Sequence, residues 1–559
     1  MITVYIAKKV ITMDKGWPEA RAVAVQNDTG RIVSVGSLED LQPWLAKNQH
    51  TTDKTFADKI LMPGFVEPHA HPIIGGTALT RPLLTYVPEP NPYGPGFPGV
   101  KTPEEALAKL REYAAAWKDP DKTLLAWGYD LTAMGQHHLD KTALDAISET
   151  IPIIVWEASE HFVYANTVAL KKYGISKADL AIDGIKAGAD GEPNGQFLGT
   201  PAAQRMLAEP MQKIMATEAL TNVQYLVDLS RQHGITTTSE LAFGIIDMEM
   251  ELAVLSKFFN APDSPMRLVA ITDAATMTHN KGEDAIDFVK QLPAKNTDKL
   301  IFNGVKFFSD DAFLSLGMAM ENPGYIDHHC GFFVTPREKM VEHWLPWWKA
   351  GFHIHVHTNG NAGNEATVTA LSGLMKEFPR ADHRFTCDHF GISTPEQVRR
   401  LKALGGLASI NPYYLYHRSE LLAPYIGSDR AYTAARLKTL TDEGVITALH
   451  TDTPVAPPCP LESIWIAVNR FGLSGAVRGP AERITLDQAL RMVTIDAAYA
   501  LGIEEKVGSI ASGKFADFVV LEQDPYATAK EELRNIKVWG TVVGGKVYPA
   551  SEIKAPAAS

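Results

Sequence analysis

Between residues 63 and 451, short apolar runs rich in β-branched residues alternate with segments of helical pattern. Parallel strands need a long crossover connection, usually a helix, so this alternation is typical of βα units. It predicts an α/β fold built on a parallel sheet. Ten candidate strands lie at residues 63–69, 124–129, 151–157, 235–241, 267–272, 304–309, 352–358, 384–390, 407–411 and 445–451.

Ten candidates exceed the eight strands of a (β/α)8 TIM barrel. The candidates at 124–129 and 151–157 lie in a long interval where the strict alternation is absent. We predict that these two belong to an insertion at about residues 75–230. The other eight strands would then form one (β/α)8 barrel within residues 62–504.

Both ends of the chain are rich in β-forming residues. Two short β runs between residues 22 and 35 flank a turn sequence, as in a β-hairpin, and two more follow between 515 and 543. We predict that residues 1–61 and 505–559 pair into one composite β domain, with the barrel between them.

Catalytic residues of a (β/α)8 barrel lie at the C-terminal ends of its strands. The first strand ends in His69-Ala70-His71, and strand residues two apart point the same way, so both imidazoles would face one metal ion. This pair alone is a weak signal, but other strands also carry ligand-type side chains. They are Lys306, His357, His389 and Asp452.

Two of these residues have alternative interpretations. A charged lysine in an apolar strand is costly unless it is paired, so Lys306 would form an ion pair with Asp310 or Asp311. Alternatively, Lys306 carries a carbamate, formed with CO₂, whose oxygens bridge two metal ions. Asp452 would either cap the following segment or serve as a metal ligand and base.

Four polar neighbours of these residues are expected to have structural roles. His353, His355 and His450 share faces with the ligand candidates and are expected to pack in the barrel interior. Because side chains alternate along a strand, Asp388 is expected to point to the face opposite His389.

Several motifs lie at the strand ends, in the insertion and near the C-terminus. They are Pro-Gly-Phe-Val-Glu-Pro-His-Ala-His at 63–71, Asp-Gly-Glu-Pro-Asn-Gly at 190–195, Gly-Val-Lys-Phe at 304–307, Val-His-Thr-Asn-Gly at 356–360, Asp-His at 388–389, His-Thr-Asp-Thr-Pro-Val at 450–455 and Gly-Ser-Ile-Ala-Ser-Gly-Lys-Phe-Ala-Asp at 508–517. In these motifs the chain resembles the amidohydrolase superfamily, specifically its YtcJ-like branch. The resemblance implies a (β/α)8 barrel with a small β-sandwich domain built from both chain termini.

The resemblance also implies a metal site and a mechanism. Zn²⁺ is the expected cofactor, as one or two ions, and other divalent metals are left open. Hydrolysis would use a metal-activated hydroxide, with Asp452 as general base and then general acid. The implied ligands are His69, His71 and Asp452 for one ion, His357 and His389 for a second, and carboxylated Lys306 as the bridge.

The leading functional hypothesis is an amidohydrolase that cleaves a non-peptide C–N bond in an N-acyl or N-formyl amide, a carbamate or a cyclic amide. Alternatives are a carboxylic ester hydrolase using the same site, a single-metal isomerase and a metal-free barrel that binds a small ligand. Aromatic residues would favour an apolar or aromatic substrate. The substrate-binding candidates are Trp127, Tyr129, Trp156, His161, Tyr325 and His328.

Composition argues against several partners. The net charge of −12 disfavours nucleic acid and anionic membranes, which attract basic surfaces. Three cysteines without a Cys-x-x-Cys pair predict neither a disulfide framework nor a cysteine-type zinc site. No apolar run approaches the length of a membrane span, so a cytoplasmic location is expected. The expected partner is a small-molecule substrate, and a homo-oligomer is left open.

Overall fold

A computed structural model describes residues 1–555 of the chain. Two compact units are present. The first contains residues 1–72, 227–313 and the chain from 317 onward, and the second contains residues 73–226 with 314–316. Within residues 1–555, no helix is both long and apolar enough to cross a membrane.

The first unit contains a sheet of eight parallel strands in sequential order, which confirms the predicted (β/α)8 barrel. All eight strands predicted for the barrel are present, with shifts of a few residues at their ends. Hydrogen bonds just beyond the strands link the first strand to the last and close the barrel. The strands are Phe65–Glu67, Ile235–Phe243, Arg267–Asp273, Leu300–Phe308, Ile354–Thr358, Thr386–His389, Leu407–Ile410 and Thr447–Leu449.

The same unit contains a seven-stranded sheet built from both chain termini, as predicted. The hairpin predicted between residues 22 and 35 is present, and Phe518–Leu521 pairs with His50–Pro63, which joins the two ends of the chain. The domain limits assigned from the sequence remain predictions. The strands are Ile2–Ile11, Glu19–Gln26, Arg31–Gly36, His50–Pro63, Phe518–Leu521, Val538–Val543 and Lys546–Pro549.

The second unit contains a five-stranded sheet. Its first two strands are the two surplus candidates of the sequence, and neither takes part in the barrel sheet. Apolar side chains from these strands and from a preceding helix form a core of their own. The strands are Leu124–Tyr129, Ile153–Glu157, Phe162–Ala165, Ile185–Ala187 and Pro193–Leu198.

Helices follow most barrel strands, as βα units require. Several begin at the capping residues that the sequence offers, and Thr394 accepts a hydrogen bond from the backbone N–H of Gln397. The helices are Leu38–Leu45, Pro72–Leu79, Pro103–Ala116, Lys141–Asp145, Thr167–Lys172, Thr200–Gln232, Met248–Phe259, Ala274–Lys281, Ala285–Gln291, Met340–Lys349, Asn361–Glu377, Pro395–Ala403, Ser419–Ile426, Ser428–Ala431, Leu437–Asp442, Pro460–Asn469, Leu486–Met492 and Ile495–Ala500.

Candidate metal centre

His69, His71 and Asp452 meet at the C-terminal ends of the first and last barrel strands. Asp452 Oδ1 lies 3.2 Å from His69 Nε2 and 3.4 Å from His71 Nε2. One ligand atom from each of the three residues lies within 4.8 Å of the others, as in a metal site. The structure therefore brings together the three residues that the sequence assigns to one ion.

Backbone hydrogen bonds at the barrel seam hold these residues in register. The N–H of Asp452 donates to the carbonyl oxygen of His69 (2.9 Å), and the N–H of His71 donates to that of Thr453 (3.1 Å). Asp452 has a φ of 60°, a left-handed conformation that costs free energy in a non-glycine residue. The two backbone hydrogen bonds between the first and last strands hold Asp452 in this conformation.

The Glu67 carboxylate also joins the first strand to the last. It is buried and accepts hydrogen bonds from the backbone N–H of His69 (3.1 Å), the N–H of Thr451 (3.1 Å) and the Thr451 hydroxyl (2.8 Å). Burial raises the pKa of Glu67 to about 8. Glu67 thus links the two strands that carry His69, His71 and Asp452.

A second group of close ligand atoms contains His69, His389 and His450. His389 Nδ1 lies 3.1 Å from His450 Nε2, and His450 Nδ1 lies 2.7 Å from the Ser409 hydroxyl. His450 is buried in the barrel, as expected from its strand position, but it also lies directly against the candidate ligands.

Burial keeps most of these imidazoles neutral. It is the main cause that lowers the pKa of His69 and His389 well below the usual histidine value, and it lowers that of His450 to about 3. A histidine must be deprotonated to ligate a metal. The barrel interior thus favours the ligand form of these side chains.

His71 has a different environment, because Glu240 on the second strand holds its other ring nitrogen. Glu240 Oε1 lies 3.1 Å from His71 Nδ1. Burial lowers the pKa of His71, but hydrogen bonds to Asp452 and Glu240 outweigh it and raise the pKa to about 10. In the metal-free site His71 therefore carries protons on both ring nitrogens. A metal ion would replace the proton on Nε2, and the Glu240 carboxylate would hold the one on Nδ1.

Lys306 pairs with Asp388, so the prediction that Asp310 or Asp311 would be its partner is wrong. Its Nζ lies 2.5 Å from Asp388 Oδ2, and His355 Nδ1 lies 3.2 Å from Asp388 Oδ1. Asp310 instead accepts three backbone N–H groups, including those of residues 359 and 360.

The expectation that Asp388 points away from His389 is also wrong. The side chains of both residues lie in the barrel interior, where each approaches His69. The physical reason is the backbone of His389, whose φ of 69° ends the extended conformation. Strict alternation of side chains holds only within a regular strand.

His357 lies beside His389, with 4.6 Å between the ring centroids. Its Nε2 is 3.0 Å from Asn359 Nδ2. Neither of the two groups of close ligand atoms includes His357. Its role as a metal ligand stays a prediction, as do the ligand roles assigned to the other candidates.

The substrate-binding candidates lie in several environments. Tyr129 donates its hydroxyl hydrogen to the carbonyl oxygen of His137 (2.7 Å), and the Trp156 indole donates to that of Glu160 (3.3 Å). Trp127 and Tyr325 are buried, whereas His328 is exposed. His161 lies in the second unit, where it forms hydrogen bonds. Substrate contact by these residues stays a prediction.

Several polar residues at the site were absent from the sequence-based candidates. A search of every predicted strand for carboxylates would have found three of them, because Glu67, Glu240 and Asp388 lie in the predicted strands 63–69, 235–241 and 384–390. The other two are Asn359 and Tyr414, which follow the strands Ile354–Thr358 and Leu407–Ile410.

A (β/α)8 barrel with histidines and an aspartate gathered at its C-terminal strand ends is the architecture of metal-dependent hydrolases. The model of the Amidohydrolase family matches residues 57–549, and the chain therefore belongs to that family. It is an enzyme of the amidohydrolase type, as the sequence motifs predict.

Individual relatives match along almost the whole chain. Protein LONG AFTER FAR-RED 3 of Arabidopsis thaliana is 26% identical, covering 97% of this chain and 90% of its own length. N-substituted formamide deformylase of Arthrobacter pascens is 24% identical, covering 97% of both chains. YtcJ of Bacillus subtilis (strain 168), named as an amidohydrolase, is 24% identical, covering 94% of this chain and 96% of its own.

The fold is also that of a solved metal-dependent hydrolase from Pyrococcus horikoshii. The TM-score is 0.70 over 95% of this chain and 99% of the other, at 16% sequence identity. At this level of identity the likeness shows the fold alone.

Proposed function

We propose that the protein hydrolyses a non-peptide C–N bond in a small molecule, in an N-formyl or N-acyl amide, a carbamate or a cyclic amide. The observation that carries this proposal is the group of His69, His71 and Asp452 at the barrel mouth, with buried imidazoles around it. The full-length similarity to a formamide deformylase supports the amide class.

The donor atoms fit a divalent cation. His69 Nδ1, His355 Nε2 and His389 Nε2 are buried without a hydrogen-bond partner. Unpaired buried polar atoms cost free energy, and imidazole nitrogens with a carboxylate oxygen are the donors that Zn²⁺ prefers. When bound, such an ion polarises a carbonyl group and lowers the pKa of a water molecule. We propose as ligands His69, His71, Lys306, His357, His389 and Asp452.

Asp452 is the proposed general base and acid. Its side chain is 12% exposed, whereas that of His389 is 1% exposed, so it remains in contact with solvent. A carboxylate in that position accepts a proton from the attacking water and transfers it to the leaving nitrogen. Asp452→Asn should abolish turnover, because an amide cannot accept the proton. It should also weaken metal binding, because an uncharged amide oxygen is a poorer ligand than a carboxylate.

The number of metal ions is coupled to the state of Lys306. A carbamate on Lys306 would replace the cation beside buried Asp388 with an anion, and the positive charge that balances the pair would then have to come from bound metal. Growth with ¹³C-labelled bicarbonate, followed by ¹³C NMR and metal analysis of the same sample, tests this. A labelled carbamate with two ions supports the bridge, and unmodified lysine with one ion refutes it.

His450 provides an alternative to His357 as the partner of His389. Its Nε2 lies 3.1 Å from His389 Nδ1, and His450 belongs to the group of close ligand atoms that His357 does not join. Metal analysis of His357→Ala and His450→Ala distinguishes the two assignments. Substitution of the residue that ligates the ion should lower the metal content, and substitution of the other should not.

A hydrolysis screen of the zinc-loaded protein tests the function. We expect turnover of N-substituted formamides or related amides. Turnover of aryl and alkyl esters alone would favour the ester hydrolase alternative, which uses the same site. Failure to bind metal, with a fold unchanged by chelator, would contradict the hydrolase proposal.

A cytoplasmic setting is also proposed. The cysteines Cys330, Cys387 and Cys459 are free thiols, in agreement with a reducing compartment. Fractionation of cells that express the protein, with detection by antibody, tests the location.

A further inference from the structure

The carboxylate of Asp310 joins two loops at the mouth of the barrel. Asp310 lies two residues after the fourth strand, Leu300–Phe308, and is fully buried. Its Oδ1 accepts a hydrogen bond from the backbone N–H of Asn359 (2.8 Å). Its Oδ2 accepts hydrogen bonds from the N–H groups of Gly360 and Ala319 (2.8 Å each). One carboxylate thus holds the turn after the fifth strand against the loop after the fourth.

Two glycines allow the loops to approach each other this closely. A Cβ atom on Gly363 would lie 2.4 Å from Cγ of Asp310, and a Cβ atom on Gly360 would lie 1.8 Å from the carbonyl oxygen of Ala319. Both separations are too short for any side chain. The junction of the two loops is therefore packed directly around the Asp310 carboxylate.

Both segments that Asp310 joins contact the imidazole of His357. His357 Nε2 lies 3.4 Å from the carbonyl oxygen of Asp311, the residue after Asp310, and 3.0 Å from Asn359 Nδ2. Asn359 Nδ2 in turn donates to the Asp311 carbonyl oxygen (3.2 Å). Asp310 is thus next in the chain to one of these contacts and holds the backbone of the residue that makes the other.

The tautomer of His357 decides the direction of these hydrogen bonds. With its hydrogen on Nδ1, the ring accepts a hydrogen bond at Nε2 from the Asn359 amide. With its hydrogen on Nε2, the ring donates to the Asp311 carbonyl oxygen, and Nδ1 keeps the lone pair that a metal ion needs. In both tautomers the ring is held by Nε2.

We propose that Asp310 is a positioning residue for His357. Its carboxylate fixes the Asp311 carbonyl group and the Asn359 side chain, and these two groups hold the His357 ring in the orientation in which it ligates a metal ion. Asp310 acts only through these neighbours. The inference rests on the proposed ligand role of His357.

Glu482 offers a matched control, because it is another buried carboxylate that joins two segments of the first unit. It is 6% exposed and accepts hydrogen bonds from the backbone N–H (2.9 Å) and the hydroxyl (2.6 Å) of Thr439. Asp310→Asn and Glu482→Gln each replace a carboxylate by an amide of the same shape. Both variants should lower the free energy of unfolding, but only Asp310→Asn should change the environment of His357.

The first readout is the ¹⁵N NMR spectrum of metal-free protein with labelled histidine, recorded at one fixed pH. The ring-nitrogen signals of His357, assigned by their loss in His357→Ala, report its tautomer and the hydrogen bonds at Nε2. We expect these signals to shift in Asp310→Asn and to keep their wild-type positions in Glu482→Gln. Wild-type positions in both variants would overturn the inference.

The second readout is zinc affinity, measured by competition with a chromophoric chelator. Loss of a group that orients a ligating histidine typically lowers metal affinity by about 10- to 100-fold. We expect a fall of this size for Asp310→Asn and wild-type affinity for Glu482→Gln. Wild-type affinity in Asp310→Asn would overturn the inference. If wild-type protein binds no metal, the proposed function fails, and the nitrogen signals still test whether Asp310 positions His357.

Gly363→Ala covers the case in which Asp310→Asn loses its fold. Gly363 lies in the helix Asn361–Glu377, where alanine would otherwise be the better helix former. The variant keeps the Asp310 carboxylate but places a methyl group against it. It should shift the His357 signals and weaken zinc binding as Asp310→Asn does. Wild-type signals and affinity in folded Gly363→Ala would overturn the inference.

A double-mutant cycle tests whether Asp310 acts through Asn359. Asn359→Ala removes the side chain that contacts His357 and keeps the backbone N–H that Asp310 binds. If both residues act on the same ring, the losses of zinc affinity in Asp310→Asn and Asn359→Ala should be less than additive in the double variant. Fully additive losses would show independent effects and would overturn the inference.

Discussion

Nζ of Lys306 lies 2.5 Å from Oδ2 of Asp388, and the two side chains are 1% and 0% exposed. A charge buried this completely has lost its contact with water, so its counterion must stabilise it. His355 provides a further contact to the same carboxylate, at 3.2 Å. Asp388 therefore balances the positive charge in the barrel interior, one residue before a candidate metal ligand.

Asp388→Asn should destabilise the metal-free protein strongly. Loss of one partner from a buried ion pair costs about 3–5 kcal/mol, because the remaining charge has no counterion. Urea unfolding in the presence of a chelator measures this cost. Asp58, which is 75% exposed beside Lys59, gives a control substitution that should have no measurable effect.

The double variant Lys306→Met/Asp388→Asn separates the ion pair from simple loss of packing. It should recover part of the stability lost in Asp388→Asn, because no unpaired charge remains. Equal destabilisation of the single and double variants would show that the pair contributes little.

Glu240→Gln should weaken metal binding. A carboxylate that orients a ligating histidine typically contributes about 10- to 100-fold in metal affinity. Competition with a chromophoric chelator measures zinc affinity without reference to turnover. Glu249, an exposed residue nearby in the chain, gives a control in which affinity should be unchanged. Wild-type affinity in Glu240→Gln would refute an orienting role.

Glu67→Ala should destabilise the barrel seam. The substitution leaves the N–H of His69 and two donors of Thr451 without their acceptor, and each unsatisfied buried group costs about 1–3 kcal/mol. Thermal unfolding compared with Glu112→Ala, an exposed control, measures the loss. A shift no larger than that of the control would mean that water or another acceptor replaces the carboxylate.

Glu157 should make the second unit sensitive to pH. It is buried, and burial followed by the charge of Asp130 raises its pKa from 4.5 to about 7. The folded state therefore binds more protons than the unfolded state between these values. The contribution of Glu157 to stability should be fully present below pH 4.5 and fall by about 3 kcal/mol as the pH rises to 7.

The comparison of wild type with Glu157→Gln isolates this effect from other titrating groups. Between pH 5 and pH 8, the free energy of unfolding of wild type should fall relative to that of Glu157→Gln, because only the wild-type side chain must ionise in a buried position. A difference that stays constant with pH would indicate that Glu157 is ionised in the folded protein, held by its contacts with Leu131 and Ser159.

Much of the fold could be predicted from local sequence. All ten candidate strands are present, because apolar β-branched runs bounded by turns are a local signal. The division of these strands between the barrel and the second sheet followed from the loss of alternation before residue 235. His69, His71 and Asp452 could be grouped because the ends of parallel strands meet at one edge of a barrel.

The sequence by itself thus determined the strands, the barrel and the histidines and aspartate at its mouth. Only the tertiary structure decided which charges meet. Asp388 reaches Lys306, Glu240 reaches His71 and Glu67 reaches Thr451 across large separations in the chain. Periodicity is a property of neighbouring residues, whereas these pairs depend on strand register, barrel closure and the left-handed turn at His389.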